Sequence, residues 1–533
     1  MRRARIGISL ACIALLLSSG CAPKPTQPPA AVTPAGPSRG GTLVMAVVND
    51  PPTFDLDRTT WCEITQSIFY DSLVDKDMDG NISPRLATSW QVSDDGLVWT
   101  FQLREDVTFH CGHPFDAHAV KYRIDRMLND ENPSANLHMV NAVREAVVDD
   151  DYTISFHLKA VDAALWNFLG TAFGAPFCPV CVEEHGDDYG QNPCGTGMFK
   201  LLEYVPGSHL TVTRHEDYKW AAGYWENQGS PNIEAIKFRF IADEATRLLE
   251  LEKGTIDYIA VPPQHVKRLT ENEDVQVIQY PSNGIRYWGF NAKKWPWEDI
   301  RVRQAMQYAI NKHAIAEFAL EGLAEPLWSG LPPSISGYTD EMEQHLSEMY
   351  PYDPERTKQL LAEAGWVLGD DGVFAKDGKR LSVGIWIVNN PVDIRVAEML
   401  LDDLAKAGVE LKIEIVEQAR LTSDTPKGLH ETLLWQYGWY DPDILFHLFN
   451  QGGTRMHFVN ERLQELLELG RSLIPMEERL AVYDEVLLLL AEECPWVVLY
   501  FPQSIQGWSK RVSNVKINSF NGSILINDLY LTE

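Results

Sequence analysis

Chemistry in this chain of 533 residues would have to begin with its thiols and imidazoles. Beyond Cys12 and Cys21, six cysteines remain: Cys62, Cys111, Cys178, Cys181, Cys194 and Cys494. In a chain that leaves the cytoplasm, as argued below, an even set reads first as disulfides, with Cys62, Cys111, Cys178, Cys181 and Cys194 the candidates, although sequence assigns no pairing. Cys178-Pro-Val-Cys181 followed by Cys194 also has the spacing of three zinc ligands, with His185 the one evident fourth donor. His110, His113 and His118 crowd around Cys111 and raise the same question; a loop held by a disulfide at Cys111 is the simpler reading. Asp75, Asp77, Asp79 and Gly80 begin like an EF-hand loop, but the twelfth position, which needs a bidentate acid, is Leu86, so a turn is expected. Gly195-Thr196-Gly197 lacks the following helix with Lys-Ser/Thr that a phosphate loop requires. The motifs G-x-S-x-G, H-E-x-x-H and S-x-x-K find no suitable turn or helix. These residues suit holding something better than transforming it.

The first residues look like an export signal. Arg2, Arg3 and Arg5 precede an apolar run at 6–17, and Ser18-Ser19-Gly20 lead into Cys21, the pattern of a lipoprotein signal cleaved before a cysteine that then carries diacylglycerol. Ser18 stands where such signals usually have Leu. Residues 22–40 are rich in Pro, Ala, Thr, Gly and Ser and read as an extended tether. No later stretch approaches 18 consecutive apolar residues, so no other span is expected. The remaining body of about 490 residues is too long for one core and implies at least two lobes. A formal charge of −29 argues against nucleic acid, whose phosphates need a basic footprint, and biases a cleft weakly toward cationic solutes.

Strands and helices alternate along that body. Residues 41–48 read as a strand, as do the alternations Trp99, Phe101, Leu103; Ile154, Phe156, Leu158; Ile236, Phe238, Phe240; and Val409, Leu411, Ile413, Ile415. Val302, Ala305, Met306, Ala309, Ile310, Ala314, Ile315 and Phe318 recur three and four apart, one face of a helix that Asp299 caps. Val396, Ala397, Leu400, Leu401 and Leu404 mark a second helix, stopped by Gly408. The strand–helix–strand repetition over 381–415 predicts an α/β lobe with a mostly parallel sheet.

Four segments carry a longer pattern. Residues 287–311, YWGFN…W-x-D-x-RVRQAMQYAIN, are the longest; PRLATSW, a D-G turn and FQLR follow one another within 84–104; NPCGTGMFKLL occupies 192–202; and Gly438-Trp439-Tyr440-Asp441-Pro442-Asp443 forms a W-x-D-P-D loop. Together they resemble the family 5 extracytoplasmic solute-binding proteins, the large peptide- and nickel-type receptors of bacterial ABC importers, from about Gly41 onward.

The resemblance implies a two-lobed periplasmic-binding-protein fold of class II, the large peptide-binding type, with an extra subdomain in the first lobe. Lobe I would comprise 41–82, 189–283 and 492–533, the subdomain 83–188 and lobe II 284–491, after a signal at 1–20 and a tether at 21–40. It implies a monomer, lipid-anchored on the extracytoplasmic side, that captures a small solute, foremost peptides, and passes it to permease and ATPase subunits, with no catalytic residue, metal or cofactor. Nickel chelates, oligosaccharides, opines and siderophores are alternatives on the same fold; an exported enzyme or chaperone-like lipoprotein is the reading from another class. In dipeptide-type members an Asp within a longer loop holds the peptide amine; here the loop is too short to contain it, which leaves Asp441 or Asp443 to act instead. Trp439, Tyr440, Tyr287, Trp288 and Trp61 are candidates for an aromatic wall, and Arg286 for a carboxylate partner.

Overall fold

A computed structural model describes residues 38–532. The signal, Cys21 and nearly all of the tether lie outside the described residues.

Two hydrophobic cores organise the chain. Lobe I packs Leu43, Met45, Phe69, Phe199, Ile236, Phe238 and Trp508 with residues of the subdomain, including Trp99, Phe101 and Phe156, into one cluster. Lobe II has its own core on the two sides of a sheet: Trp288, Val302, Leu361, Ile385 and Leu400 on one, Tyr287, Leu445, Leu467 and Tyr483 on the other. The predicted alternations fall on strands Val98–Leu103, Thr153–Leu158, Ala235–Phe240 and Glu410–Val416. The subdomain sheet is antiparallel, with Ala87–Val92, Val98–Leu103, Thr153–Leu158 and Val143–Asp150 side by side. In lobe II, Ser382–Val388 pairs in parallel with Glu410–Val416 and Thr432–Gly438, while the central strand Gly284–Phe290 is antiparallel to both neighbours. The sheets are therefore mixed, a correction to the expectation of mostly parallel pairing: hairpins and a long returning strand supply antiparallel partners that periodicity does not reveal.

That returning strand, Trp496–Ser509, joins the lobes. Its first part, through Tyr500, pairs with Gly284–Phe290 in lobe II; its second, from Gln503, pairs with Val275–Pro281 in lobe I. The chain thus crosses between lobes at Ser282-Asn283 and again near Phe501-Pro502, where Ser282 N–H donates to the Pro502 carbonyl at 3.1 Å. The strand passes from the lobe II sheet to the lobe I sheet after Tyr500.

The long helix predicted from Asp299 to Phe318 is also divided. Asp299 caps Ile300–Ala309 as expected, accepting from Arg301 N–H. Ile310 is extended, and Asn311 caps a new segment by accepting from Ala314 N–H. A π turn over Ile315–Ala319 then rotates Phe318 into solvent, 66% exposed.

Candidate functional site

The W-x-D-P-D loop links strand Thr432–Gly438 to helix Ile444–Phe449 at the edge of lobe II that faces lobe I. Asp441 is buried and accepts two hydrogen bonds from Arg479, at 2.9 and 2.5 Å, and its other neighbour is Asp443 N–H at 2.9 Å. Arg479 is equally buried on helix Met476–Glu493, its Nε donating to the Gly470 carbonyl. Burial alone would raise the Asp441 carboxyl, but the Arg479 charge and its paired bonds, with Lys76, outweigh this and hold it at about 2. Asp443, also buried, lies 3.1 Å from Arg471 and 3.4 Å from His447. Neither carboxylate is free for a solute amine. The expectation that Asp441 or Asp443 acts as an anchor is corrected here: both are spent on arginines of neighbouring helices.

These same groups tie the lobes together. Lys76 of lobe I donates its ammonium to the Tyr440 carbonyl. Arg471 pairs with Asp162 of the subdomain at 3.1 Å, and its carbonyl accepts from Ala163 N–H at 2.7 Å. The two acids of the loop thus orient an arginine and a lysine that reach across the gap. The described conformation has the lobes in contact along this edge.

Next to it lies a polar and aromatic surface drawn from both lobes. Lobe I contributes half-buried Cys62 and Glu63, with Tyr258 and Tyr280; lobe II contributes Trp439 and Tyr440, and Asn283 comes from the crossing, its carbonyl accepting from Trp439 N–H at 3.1 Å. Glu63 is near enough to raise the Tyr258 phenol after burial and Tyr280 have done so. Tyr440 keeps 38% of its surface open, yet its hydroxyl sits deep enough for burial to raise it, with Asn283, Cys62 and Tyr280 around it. Burial raises the Glu63 carboxyl above its ordinary value, and among the described residues no cation pairs with it. Half-buried carboxylates are ordinarily paired, because desolvation is costly. On the flank, His138 of the subdomain lies near His447 of lobe II; burial first, then this neighbour, lowers the His138 imidazole. Trp439 packs on His447 with ring centroids 5.4 Å apart.

The structure places two of the sequence candidates, Trp439 and Tyr440, on this surface, and brings Cys62, the neighbour of Trp61 in the chain, close to Tyr440. It separates the others. Tyr287 and Trp288 are fully buried, because the strand that carries them is central in its sheet and covered on both faces; Trp288 Nε1–H donates to Thr432 Oγ1 at 2.8 Å and Tyr287 packs on Trp496. Their assignment to an aromatic wall is corrected to core packing. Arg286 is bound to Asp393 and donates to Gln436 at 2.8 Å, so its expected role toward a carboxylate is already filled. Cys62 stands apart from the other candidate disulfide residues, and burial pushes its thiol up to about 12. His110 Nε2 lies 2.9 Å from the Gly197 carbonyl, so this ring is engaged with backbone and the three histidines, His110, His113 and His118, do not form a site by themselves. Glu63 and the two neighbouring histidines were not singled out from sequence. The only hint was proximity to Trp61 and to the W-x-D-P-D loop.

A cavity of about 680 Å³ opens in lobe I between Asp55, Arg58, Tyr122, Arg126 and Asp187. It takes no residue from lobe II, and Arg126 is already paired with Asp55 and Asp57, so its charge is satisfied internally.

Two lobes on crossing strands, touching at one edge beside an aromatic and acidic surface, have the architecture of a two-lobed binding protein. The chain belongs to the bacterial extracellular solute-binding proteins, family 5, whose middle-region model matches residues 81–456. It is 28% identical to heme-binding protein A of Haemophilus influenzae, over 92% of both chains. It is 27% identical to the dipeptide-binding protein of Escherichia coli, over 88% of this chain and 91% of that one. Among solved structures, NikA of Brucella suis in complex with Fe(III)-EDTA superposes with a TM-score of 0.81 at 24% identity, covering 92% of this chain and all of that one. The protein is accordingly an extracytoplasmic solute-binding component of ABC import with the periplasmic-binding-protein fold of the peptide-binding type.

Proposed function

We propose that the solute is a peptide or another small molecule with a protonated amine, and that Glu63 receives that amine. The observation that carries this reading is the half-buried Glu63 carboxylate, raised by burial and without a paired cation among the described residues. A cation brought to it restores the interaction that desolvation removed. Trp61, Trp439 and Tyr440 would form the apolar walls, in keeping with a dipeptide-binding relative. Closure shifts an equilibrium between open and closed forms, because the solute touches both lobes only when they meet. The protein would act as a monomer without catalysis, anchored through lipid on Cys21.

Binding of a free-amine peptide and its N-acetylated form, to wild type and Glu63→Gln, tests this. Acetylation and E63Q should each weaken binding, and the two together should cost no more than one alone. Fully additive losses would show that the amine and Glu63 do not meet.

A second reading, a metal chelate, is favoured by His138 and His447 lying near each other, one from each lobe. Partial burial lowers the His138 imidazole, which favours the neutral form in which an imidazole binds metal. Retention of a chelate that His138→Ala releases would support it.

A further inference from the structure

Four cysteines that no relative's name accounts for converge in lobe I. The Sγ atoms of Cys111, Cys178, Cys181 and Cys194 all lie within 4.8 Å of one another. We propose that they form a tetrathiolate site for a structural divalent metal of the zinc class, pinning the subdomain to lobe I. The site lies outside the interlobe surface, so it stands or falls independently of the solute.

Three separate segments supply the donors, and the backbone positions each. Cys111 sits at the tip of a tight turn in which Phe109 N–H donates to the His113 carbonyl and Gly112 N–H to the Phe109 carbonyl, both at 2.8 Å. Cys178 precedes helix Pro179–His185 and Cys181 lies in its first turn, so the C-x-x-C spacing turns both sulfurs to one side. Cys194 occupies the turn before Gly195 and Gly197. A Cβ on Gly195 would fall 2.1 Å from the Phe69 carbonyl oxygen, so this turn is pressed against 68–70 and has little freedom to move. The segments are then laced to one another: Cys178 N–H donates to the Cys194 carbonyl at 3.3 Å and His110 N–H to the Gly195 carbonyl at 2.9 Å. The sulfurs therefore meet because the surrounding backbone aims them there.

The geometry suits tetrahedral thiolate coordination. Zinc–sulfur bonds of about 2.3 Å place ligand sulfurs about 3.8 Å apart. Cys111 and Cys178 are 3.5 Å apart, whereas Cys181 and Cys194 approach to 2.6 Å and would separate slightly around an ion. A C-x-x-C pair joined by two distant cysteines is a recurring ligand pattern for structural zinc. His113 Nδ1 stands 3.1 Å from Cys111 Sγ, where an imidazole N–H would support the thiolate as an outer partner. The fourth ligand is thus Cys111 and not His185. Binding exchanges four S–H protons for four metal–sulfur bonds and requires no oxidant.

Elemental analysis and intact-mass measurement of the full chain, purified without a histidine tag, test the proposal. The expected result is about one zinc per chain, released by a strong chelator with exposure of four reactive thiols. Cobalt substitution should give thiolate-to-metal charge-transfer absorption, and Cys194→Ser should abolish it. A metal-free protein four hydrogens lighter, with Cys181 joined to Cys194 and Cys111 to Cys178, would overturn the proposal. So would zinc that persists at full stoichiometry in Cys194→Ser, which would place the ion elsewhere.

Discussion

Replacing Asp441 by Asn separates a structural acid from a ligand-binding one. Asp441 and Arg479 are each no more than 2% exposed and share two hydrogen bonds. The carboxyl moves from the ordinary 3.8 to about 2 in the folded chain, equivalent to about 2–3 kcal/mol at neutral pH. D441N also leaves Arg479 buried without a counter-ion, so the total cost should be about 3–5 kcal/mol. Urea unfolding at pH 7, followed separately by intrinsic fluorescence and circular dichroism, would show a lower midpoint with little change in slope. The pH dependence has a definite sign. Because the folded value is depressed, the stabilisation is complete above about 4 and is lost as pH falls toward 2; D441N should lack that component. Replacing both partners by apolar residues of similar size should recover much of the loss. If D441N unfolds within about 1 kcal/mol of wild type but no longer binds solute, the loop acid is a ligand anchor and the reasoning from its pairing is refuted.

Four further outcomes follow from the structure. Solute binding should weaken as pH falls through the raised Glu63 value, since only the carboxylate holds an amine, and E63Q should bind weakly with a flat profile; equal pH dependence in both, measured by calorimetry, would contradict this. Because burial raises the folded value of Glu63, its ionisation opposes folding as pH rises, so ligand-free E63Q should melt above wild type at pH 7 and converge with it at low pH. Lys76→Met removes the ammonium held by the Tyr440 carbonyl and should weaken solute binding about tenfold by favouring the open form, visible as a larger radius of gyration in solution scattering of the solute-bound protein; unchanged affinity and radius would deny the contact that role. Trp288→Ala should cost about 3–5 kcal/mol of stability while the surviving folded fraction binds with wild-type affinity in titrations normalised to active protein.

The sequence revealed strands and helices wherever one face is solvent-exposed, because alternation or a three-four period then survives. It was less informative where burial is two-sided. The run at 287–290 presents no polar face, so Tyr287 and Trp288 could be read equally as wall or core. The apolar run of the crossing strand fades at Pro502-Gln503-Ser504, although the strand continues to Ser509 in the other lobe. The W-x-D-P-D loop was legible as a motif, but its meaning depends on Arg479, 38 residues away in the chain, and on Arg471. Glu63 is one of 75 acidic residues and becomes distinctive only through burial without a paired cation among the described residues. Cys111 lies 67 residues from Cys178, a separation closed by the subdomain fold and carrying no local signal.

The most direct test of the account is native mass spectrometry of the protein purified from cells, compared with the same protein after unfolding and refolding, for wild type and E63Q. The account predicts an extra mass on wild type that is lost on unfolding, resolves into amine-bearing solutes, returns when those solutes are added back, and is absent or strongly reduced on E63Q. Equal retention of the same amine-bearing solutes by E63Q and wild type would contradict it.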